Sequence, residues 1–328
     1  MLNIKSYLKI SKIKKHWIEL YRNNPNISPF VDYYYFQRTI KFFSYYFIVK
    51  RCYIRYYCVF DKNTPILIAP ILIFINGRKE LFGNINGFNY SDFVYKECNR
   101  LSDALTYLYN NIGLFDIYKI RVNSYIIDLI KKYYSSNSLN TNVKIVFGHN
   151  YNEYYNNLSK SVRQNLRTSY NRLEKFNYKF ELKVVYGGEL QNTTSFFNDV
   201  IDLYCKRHES RYKLKYNIIK RYLLKHYHFA TENYKKLPTA ITFGLYINNT
   251  LAAFMSGLIS KRDEFIVPRL SINNDFAFFS PGILLINEVI KYFISSTKII
   301  CMDLSQGEEN YKYKMGGIKH YTSTLLVK

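Results

Sequence analysis

Ser280, Pro281 and Gly282 stand at the start of an apolar helical pattern, and residues of these types could bind a phosphate group. Serine is a common N-cap residue, proline suits the first helical position, and glycine allows another group to approach the backbone closely. A helix that begins in this way presents free N–H groups and the positive end of its dipole. The same residues also suit an ordinary helix start, so the local pattern leaves both interpretations open.

A carboxylate and two tyrosines follow this helix. Asp303 lies where the apolar run KIICMDL stops, and it is either a structural partner of nearby N–H groups or a site residue. Tyr311 and Tyr313 lie in the next loop. A tyrosine beside a thioester sulfur could protonate the departing thiolate, since its usual pKa of roughly 10 is close to that of an alkyl thiol. These residue types are compatible with acyl transfer from a thioester, but by themselves they do not indicate it.

The remaining polar residues carry weaker signals. His208 shares a helical stripe with Ile201 and Cys205, which favours a packed histidine over a catalytic one. Five scattered cysteines form no CxxC pair, and no histidine lies at metal-ligand spacing near them. We therefore expect free thiols and no metal site.

The elements that position these residues occur twice. Hairpin patterns centred on Asn63-Thr64 and on Asn249-Thr250 lie 186 positions apart. Each is followed by extended chain, one amphipathic helix and one buried strand. The helices are predicted at 101–112 and 281–293, and the strands at 117–122 and 298–304. The repeated order predicts a duplicated unit, with domains at 1–150 and 151–328.

Further helices and strands are predicted between and after the hairpins. Leu158, Val162, Leu166, Tyr170 and Leu173 form one face of a helix, and Arg163 and Arg167 belong to a basic stripe beside it. A strand at 180–186, helices at 193–212 and 217–228, and a last strand at 321–327 complete the pattern. We predict an α/β fold with mixed, mostly antiparallel sheets flanked by helices.

The composition limits the class of protein. The apolar fraction of 48% provides an ample core. The formal charge of +23 divides into +12 for residues 1–150 and +11 for residues 151–328, so there is no basic tail. Such a field favours anionic ligands without choosing among them. The N-terminus lacks a secretory signal, and the longest apolar stretch is too short to cross a bilayer. We expect a cytoplasmic protein with no membrane span.

The motifs together resemble a family. SPGILL followed by MDLSQGEENYKYKMG is similar to the C-terminal pattern of the CelD/BcsL-type (cellulose-biosynthesis) acetyltransferases of the GNAT superfamily. LSKSVRQNLRTSYNRLEKFN resembles the basic helix of that family, NPNISPFVDYYYF its N-terminal segment, and NYSDF its Tyr-x-Asp turn. The resemblance covers most of the chain, and it implies a tandem duplicated GNAT (acyl-CoA N-acyltransferase) fold.

The resemblance also implies roles for particular residues. Those expected at the phosphates or arm of acyl-CoA are Ser280, Pro281, Gly282, Ile283 and Gly307. Those expected to act in catalysis are Asp303, Tyr311, Lys312, Tyr313 and Glu209. Those expected to face the acceptor are His208, Arg211, Arg163 and Arg167. In GNAT enzymes the proton-donating tyrosine lies four residues before a glycine, which fits Tyr313 better than Tyr311, so both stay candidates.

The sequence therefore predicts an N-acyltransferase that moves an acyl group, acetyl in the simplest case, from CoA to an amine. The acceptor implied by the resemblance is a sugar precursor of a surface polysaccharide. The first copy lacks the Ser-Pro-Gly helix start, and we predict that it does not bind the cofactor. One alternative is a FemABX-like transferase that uses aminoacyl-tRNA on a cell-wall precursor. Another is a non-catalytic polyanion-binding protein, and nucleic acid is expected as a partner only under these alternatives.

Overall fold

A computed structural model describes residues 1–85, 88–188, 194–212 and 237–327 of the protein. The chain divides into two compact units. Unit 1 comprises Met1–Thr141 with Tyr321–Lys328, and unit 2 comprises Asn142–His320. The domain ranges expected from the sequence differ from these units at 142–150 and at 321–328. No helix in the described ranges is both long enough and apolar enough to span a bilayer.

In its described residues, unit 1 contains an antiparallel sheet and five α-helices. Its sheet has the order β1 (Leu2–Tyr7), β2 (Cys52–Asp61), β3 (Thr64–Phe74) and β4 (Lys79–Leu81), and β5 (Val94–Tyr95) also pairs with β3. The helices are α1 (Lys14–Asn23), α2 (Tyr33–Phe42), α3 (Ser44–Val49), α4 (Leu101–Ile112) and α5 (Tyr125–Ile130). Strand β6 (Ile117–Arg121) follows α4, and β7 (Ser136–Val146) leaves the unit at Thr141. The apolar face of α4 packs with strand β3 in the core of this unit.

Unit 2 contains a similar order of strands and helices. Its sheet runs from the end of β7 through β12 (Cys301–Gln306), β11 (Glu264–Ile272), β10 (Thr250–Ile259) and β9 (Ala240–Ile247) to β8 (Phe180–Tyr186). Its helices are α6 (Tyr151–Asn157), α7 (Lys160–Lys175), α8 (Thr194–Tyr212), α9 (Pro281–Ser296) and α10 (Asn310–Lys314). Strand β13 (Gly317–Leu326) begins here and ends in unit 1. The helix predicted at 217–228 lies outside the described residues.

The two predicted hairpins are present. In unit 1, β2 and β3 pair from Asp61↔Thr64 onward, and Lys62 in the turn has a φ of 55°. In unit 2, β9 and β10 pair from Ile247↔Thr250, and Asn248 and Asn249 have φ values of 46° and 62°. A two-residue turn with both residues left-handed matches the twist of the strands, and asparagine tolerates that conformation. The hairpins therefore form where the sequence predicted them.

Helices cover both faces of the unit 2 sheet. On one face, α9 buries Leu284, Leu285, Val289 and Phe293 together with residues of α6 and α7. On the other face, α8 packs Val200 and its neighbours against the sheet. In the described residues, each unit has a strand, one or more helices, three antiparallel strands, a helix and a further strand in the same order. The predicted mixed α/β fold, with mostly antiparallel sheets flanked by helices, is confirmed.

Candidate active site

The parallel pairing in the unit 2 sheet ends early. Strands β11 and β12 pair from Glu264↔Cys301 to Ile266↔Asp303. Beyond this point β11 continues to Ile272 along β10, and β12 continues to Gln306 along β7. The hydroxyl of Ser305 donates to the carbonyl of Val267 at 2.9 Å, which joins the two strands where their ladder stops. After Val267, the edge of β11 on the β12 side thus lies outside the β11–β12 ladder. Backbone groups on this edge could pair with an extended ligand.

Helix α9 begins beside the end of β11. Ser280 occupies the N-cap position in a left-handed conformation, with φ 53° and ψ 52°, and its side chain makes no capping hydrogen bond. Its carbonyl accepts hydrogen bonds from the N–H groups of Ile283 and Leu284. A Cβ atom added to Gly282 would lie 3.0 Å from Cγ2 of Ile272 at the end of β11. The predicted phosphate-binding residues therefore lie together, next to the open edge of β11.

Asp303 lies in the middle of β12 and is 1% exposed. Its Oδ1 accepts a hydrogen bond from the N–H of Ser305 at 2.8 Å and lies 3.2 Å from Nε2 of His320 on β13. His320 is not among the residues predicted from the sequence. A lone histidine in a strand carries no local signal, and its contact with a residue 17 positions earlier depends on how the strands align.

Lys312 on α10 holds the loop that follows β12. Its buried ammonium group donates to the carbonyls of Ser305, Gln306 and Gly307 at 3.0–3.2 Å, and it forms an ion pair with Glu309 at 3.0 Å. Gly307 has a φ of 109°, a conformation that L side chains rarely adopt, and a Cβ there would lie 2.6 Å from a Glu309 oxygen. The contacts of Lys312 thus fix the shape of this loop.

The two candidate tyrosines on α10 have different surroundings. Tyr311 packs against the main core cluster of unit 2, and its burial, together with the charge of Glu309, raises its pKa to about 12 although Arg207 opposes the shift. The hydroxyl of Tyr313 instead donates to Glu308 at 2.8 Å, and Glu308 also pairs with Lys319. Residues two apart on a helix face different directions. Tyr311 is therefore the inner tyrosine and Tyr313 the outer one.

The C-terminal part of α8 contributes to the same region. The guanidinium of Arg207 donates to the carbonyl of Leu270 on β11, and its charge lowers the pKa of Glu309 as well as that of Tyr311. Arg207 was not predicted, because in the sequence it is one cation among many. His208, Glu209 and Arg211 follow it on the backbone of α8, but their side chains lie outside the described residues.

The predicted acceptor-facing arginines of α7 are placed elsewhere in unit 2. Arg163 is partly buried, and its guanidinium lies 3.5 Å from the carbonyl of Asn156. Arg167 is exposed. Among the described contacts, neither arginine joins the cluster around Asp303. In the same described ranges, no group of three or more His, Cys, Asp and Glu residues could hold a metal ion.

Comparison with known proteins gives a domain match and several similar folds. Residues 160–313 match the family described as acetyltransferase (GNAT) domain. No curated protein sequence matches this chain. The GNAT domain match at 160–313 covers the described parts of β8–β12, α7–α9 and most of α10, and it contains every predicted site residue. The predicted enzyme class, a GNAT-type N-acyltransferase, is confirmed by it.

Three solved structures share the fold over nearly the whole chain. A conserved protein of unknown function from Bacteroides thetaiotaomicron VPI-5482 has a TM-score of 0.60 at 11% identity, with 99% of this chain and 100% of that chain covered. FemX has a TM-score of 0.58 at 10% identity, with 99% and 97% covered. L-PGS from Bacillus licheniformis has a TM-score of 0.56 at 11% identity, with 97% and 92% covered. At these identities the similarity shows the fold alone, while the CelD/BcsL resemblance stays a prediction.

Proposed function

We propose that the protein transfers an acyl group, acetyl in the simplest case, from CoA to an amine acceptor. The observation that carries this proposal is the early end of the β11–β12 ladder beside the start of α9. The unladdered edge of β11 suits an extended arm that contains amide groups, and the helix start suits a phosphate group. These features, together with the GNAT domain match, fit acyl-CoA as the donor.

Ser280, Pro281 and Gly282 would hold the phosphates in this proposal. Glycine at the second helical position keeps the approach to the helix end open, and the first turn contains no acidic residue. The backbone N–H groups of the early helix would attract the anion, because the dipole end and the N–H groups act together. Ile283 and Gly307 contribute through the backbone rather than through reactive side chains.

In the transfer step, the amine nitrogen would attack the thioester carbonyl carbon, and the carbon–sulfur bond would break. Tyr311 would give its proton to the leaving thiolate. A pKa of about 12 keeps Tyr311 protonated at neutral pH, so the acid form is the resting form. The positive charge of Arg207 would stabilise the phenolate that remains. Tyr313, which bonds to Glu308 on the outside, is the weaker candidate.

The attacking amine must also lose a proton. Glu209 and Asp303 remain the predicted acceptors of this proton, and His320, which lies against Asp303, joins them as a third. Lys312 is a positioning residue in this account, since its donors are directed to three loop carbonyls and to Glu309. Holding both substrates in one geometry would supply much of the acceleration. The acceptor suggested by the CelD/BcsL resemblance is an amino sugar of a polysaccharide precursor.

Calorimetric titration of the purified protein with CoA and acetyl-CoA tests the proposal. We expect micromolar binding that Gly282→Glu abolishes, because a carboxylate at this position would repel the phosphates. Ser102→Glu is the matched control, since Ser102 occupies the same helical position in α4 of unit 1, and it should leave binding unchanged. Gly282→Ala separates the effect of charge from that of size. Absence of binding to the intact protein, with binding of aminoacyl-tRNA instead, would replace this proposal with the FemABX-like alternative.

A further inference from the structure

Four aromatic side chains form an exposed surface in unit 2, which we call the aromatic patch. Phe176 and Phe278 are 51% and 52% exposed, and Tyr178 and Phe180 are 36% and 38% exposed. They come from the C-terminal end of α7, the turn after it, the first residue of β8 and the segment before α9. Single exposed apolar residues are common, but Phe176 contacts both Tyr178 and Phe278, and such a group of large exposed rings indicates an interaction surface.

The patch is held in place from beneath. The ring centroids of Phe176 and Phe278 lie 5.8 Å apart, and both rings contact the buried Phe279. Arg172 donates a 2.7 Å hydrogen bond to the carbonyl of Phe278, and its guanidinium lies 4.2 Å from the centre of that ring. Tyr178 also contacts Phe279, at 5.4 Å. These contacts keep the rings at the surface instead of letting them fold into the core.

Cations border the patch. Lys175 and Lys179 are exposed beside Phe176, Tyr178 and Phe180, while the exposed acidic residues nearby are Glu174 and, three positions before Phe278, Asp275. With Arg172 this leaves the surroundings of the patch net positive, in agreement with the overall charge of +23. Aromatic rings surrounded by lysine and arginine are typical of surfaces that bind at the boundary between lipid headgroups and acyl chains.

We propose that the aromatic patch seats unit 2 on an anionic lipid bilayer. The rings would enter the headgroup region, and the surrounding cations would attract the acidic headgroups. A nucleotide base is a poorer occupant, because Arg172 already covers one face of Phe278. This inference concerns a face of the protein and does not depend on the acyl-transfer chemistry.

Sedimentation with lipid vesicles tests the proposal directly. The purified protein would be mixed with vesicles of phosphatidylcholine alone or with added phosphatidylglycerol, and the bound fraction measured. We expect binding to the anionic vesicles and a fall of about tenfold or more in partitioning for Phe176→Ser with Phe278→Ser, because two apolar rings no longer leave water. The matched control is Ile48→Ser with Val49→Ser. These residues of α3 are 78% and 72% exposed, and their replacement should change partitioning less than about twofold.

A second measurement separates insertion from adsorption by charge. Phe278→Trp should show a blue-shifted emission with anionic vesicles and quenching by brominated lipid, whereas Ile48→Trp should show neither. Equal partitioning of both double variants, or an unchanged Phe278→Trp spectrum, would overturn the proposal. Loss of CoA affinity in the Phe176→Ser, Phe278→Ser variant with normal vesicle binding would also overturn it and assign the patch to the nucleotide. Thermal melting of each variant confirms that it is folded.

Discussion

Helices α4 and α9 hold the same place in the two units, but their first turns differ in charge. The first turn of α4 contains Asp103, which forms an ion pair with Arg100 at 2.6 Å. The first turn of α9 contains no acidic residue and begins with Ser280, Pro281 and Gly282. A carboxylate at a helix start occupies the place that an anionic ligand would take. The difference supports the proposal that acyl-CoA binds only in unit 2.

The strands that flank these helices differ in how far they extend beyond their last pair with the neighbouring strand. In unit 1, β4 ends at Leu81, whose N–H donates to the carbonyl of Asp116, and the Asp116 carboxylate accepts the N–H of Val327 at 2.9 Å. In unit 2, β11 continues for six residues after its last pair with β12. In unit 1 the backbone at the end of β4 is thus hydrogen-bonded within the unit, whereas in unit 2 β11 extends past its last pair with β12 and its Leu270 carbonyl accepts a hydrogen bond from the Arg207 side chain. The two units have a similar order of elements, and the differences at one helix start and one strand end are the basis for proposing the ligand site in unit 2.

The largest expected effect concerns the two lysines that support these regions. Lys312→Met should lower the free energy of unfolding by about 3 kcal/mol, because one buried and two partly buried carbonyls lose a charged donor. Lys79 of unit 1 donates to the single carbonyl of Ile112, and Lys79→Met should cost about 1 kcal/mol. Urea denaturation measures both values. Equal losses would show that the loop after β12 does not depend on Lys312.

The next effect distinguishes the inner from the outer tyrosine of α10. Tyr311→Phe should slow acyl transfer by about 100-fold while CoA affinity stays the same, because the leaving thiolate loses its proton donor. Tyr313→Phe should stay within about twofold of the unchanged protein. The assay is thiol release from acetyl-CoA with the most reactive amine from a panel of amino sugars. A larger loss for Tyr313→Phe would reverse the assignment.

The smallest effect is a pH dependence of opposite sign in the two units. Burial raises the pKa of Glu80 in unit 1 despite its ion pair with Arg78, so its contribution favours folding below pH 4.5 and is lost as the pH rises. Burial also acts to raise the pKa of Glu309, but the hydrogen bond and charge of Lys312 and the charge of Arg207 lower it overall. That contribution is present above pH 4.5 and is lost as the pH falls.

Stability measurements at pH 4 and pH 7 test this contrast. Glu80→Gln should gain stability relative to the unchanged protein on going to pH 7, and Glu309→Gln should lose stability relative to it over the same change. The expected shifts are modest for Glu309, whose side chain is 56% exposed and therefore screened by water. The same sign for both variants would contradict the described environments.

Local patterns in the sequence were enough to predict much of the fold. The bounds of α4, the first residue of α9 and both hairpin turns follow from capping residues, apolar spacing and asparagine turns. The strand predicted at 298–304 instead runs from Cys301 to Gln306. The apolar run alone did not show that pairing with β7 carries this strand past Asp303.

The candidate site was less predictable, because its contacts join residues far apart in the chain. The pair of Asp303 and His320 depends on three strands, and the approach of Arg207 to β11 depends on how α8 packs on the sheet. The sequence identified Lys312 through a family motif, but it did not indicate that its ammonium group binds three carbonyls. Ser280 was predicted as a capping side chain, and its left-handed backbone was not.

Hydrogen–deuterium exchange with and without saturating acetyl-CoA tests the central claim most directly, because it compares both units in one sample. The account predicts slower exchange at 267–272 and 280–284 of unit 2, where the β11 edge and the α9 start would contact the ligand. It predicts no change at 79–81 and 101–104 of unit 1. Equal protection in both units, or protection confined to unit 1, would contradict the account.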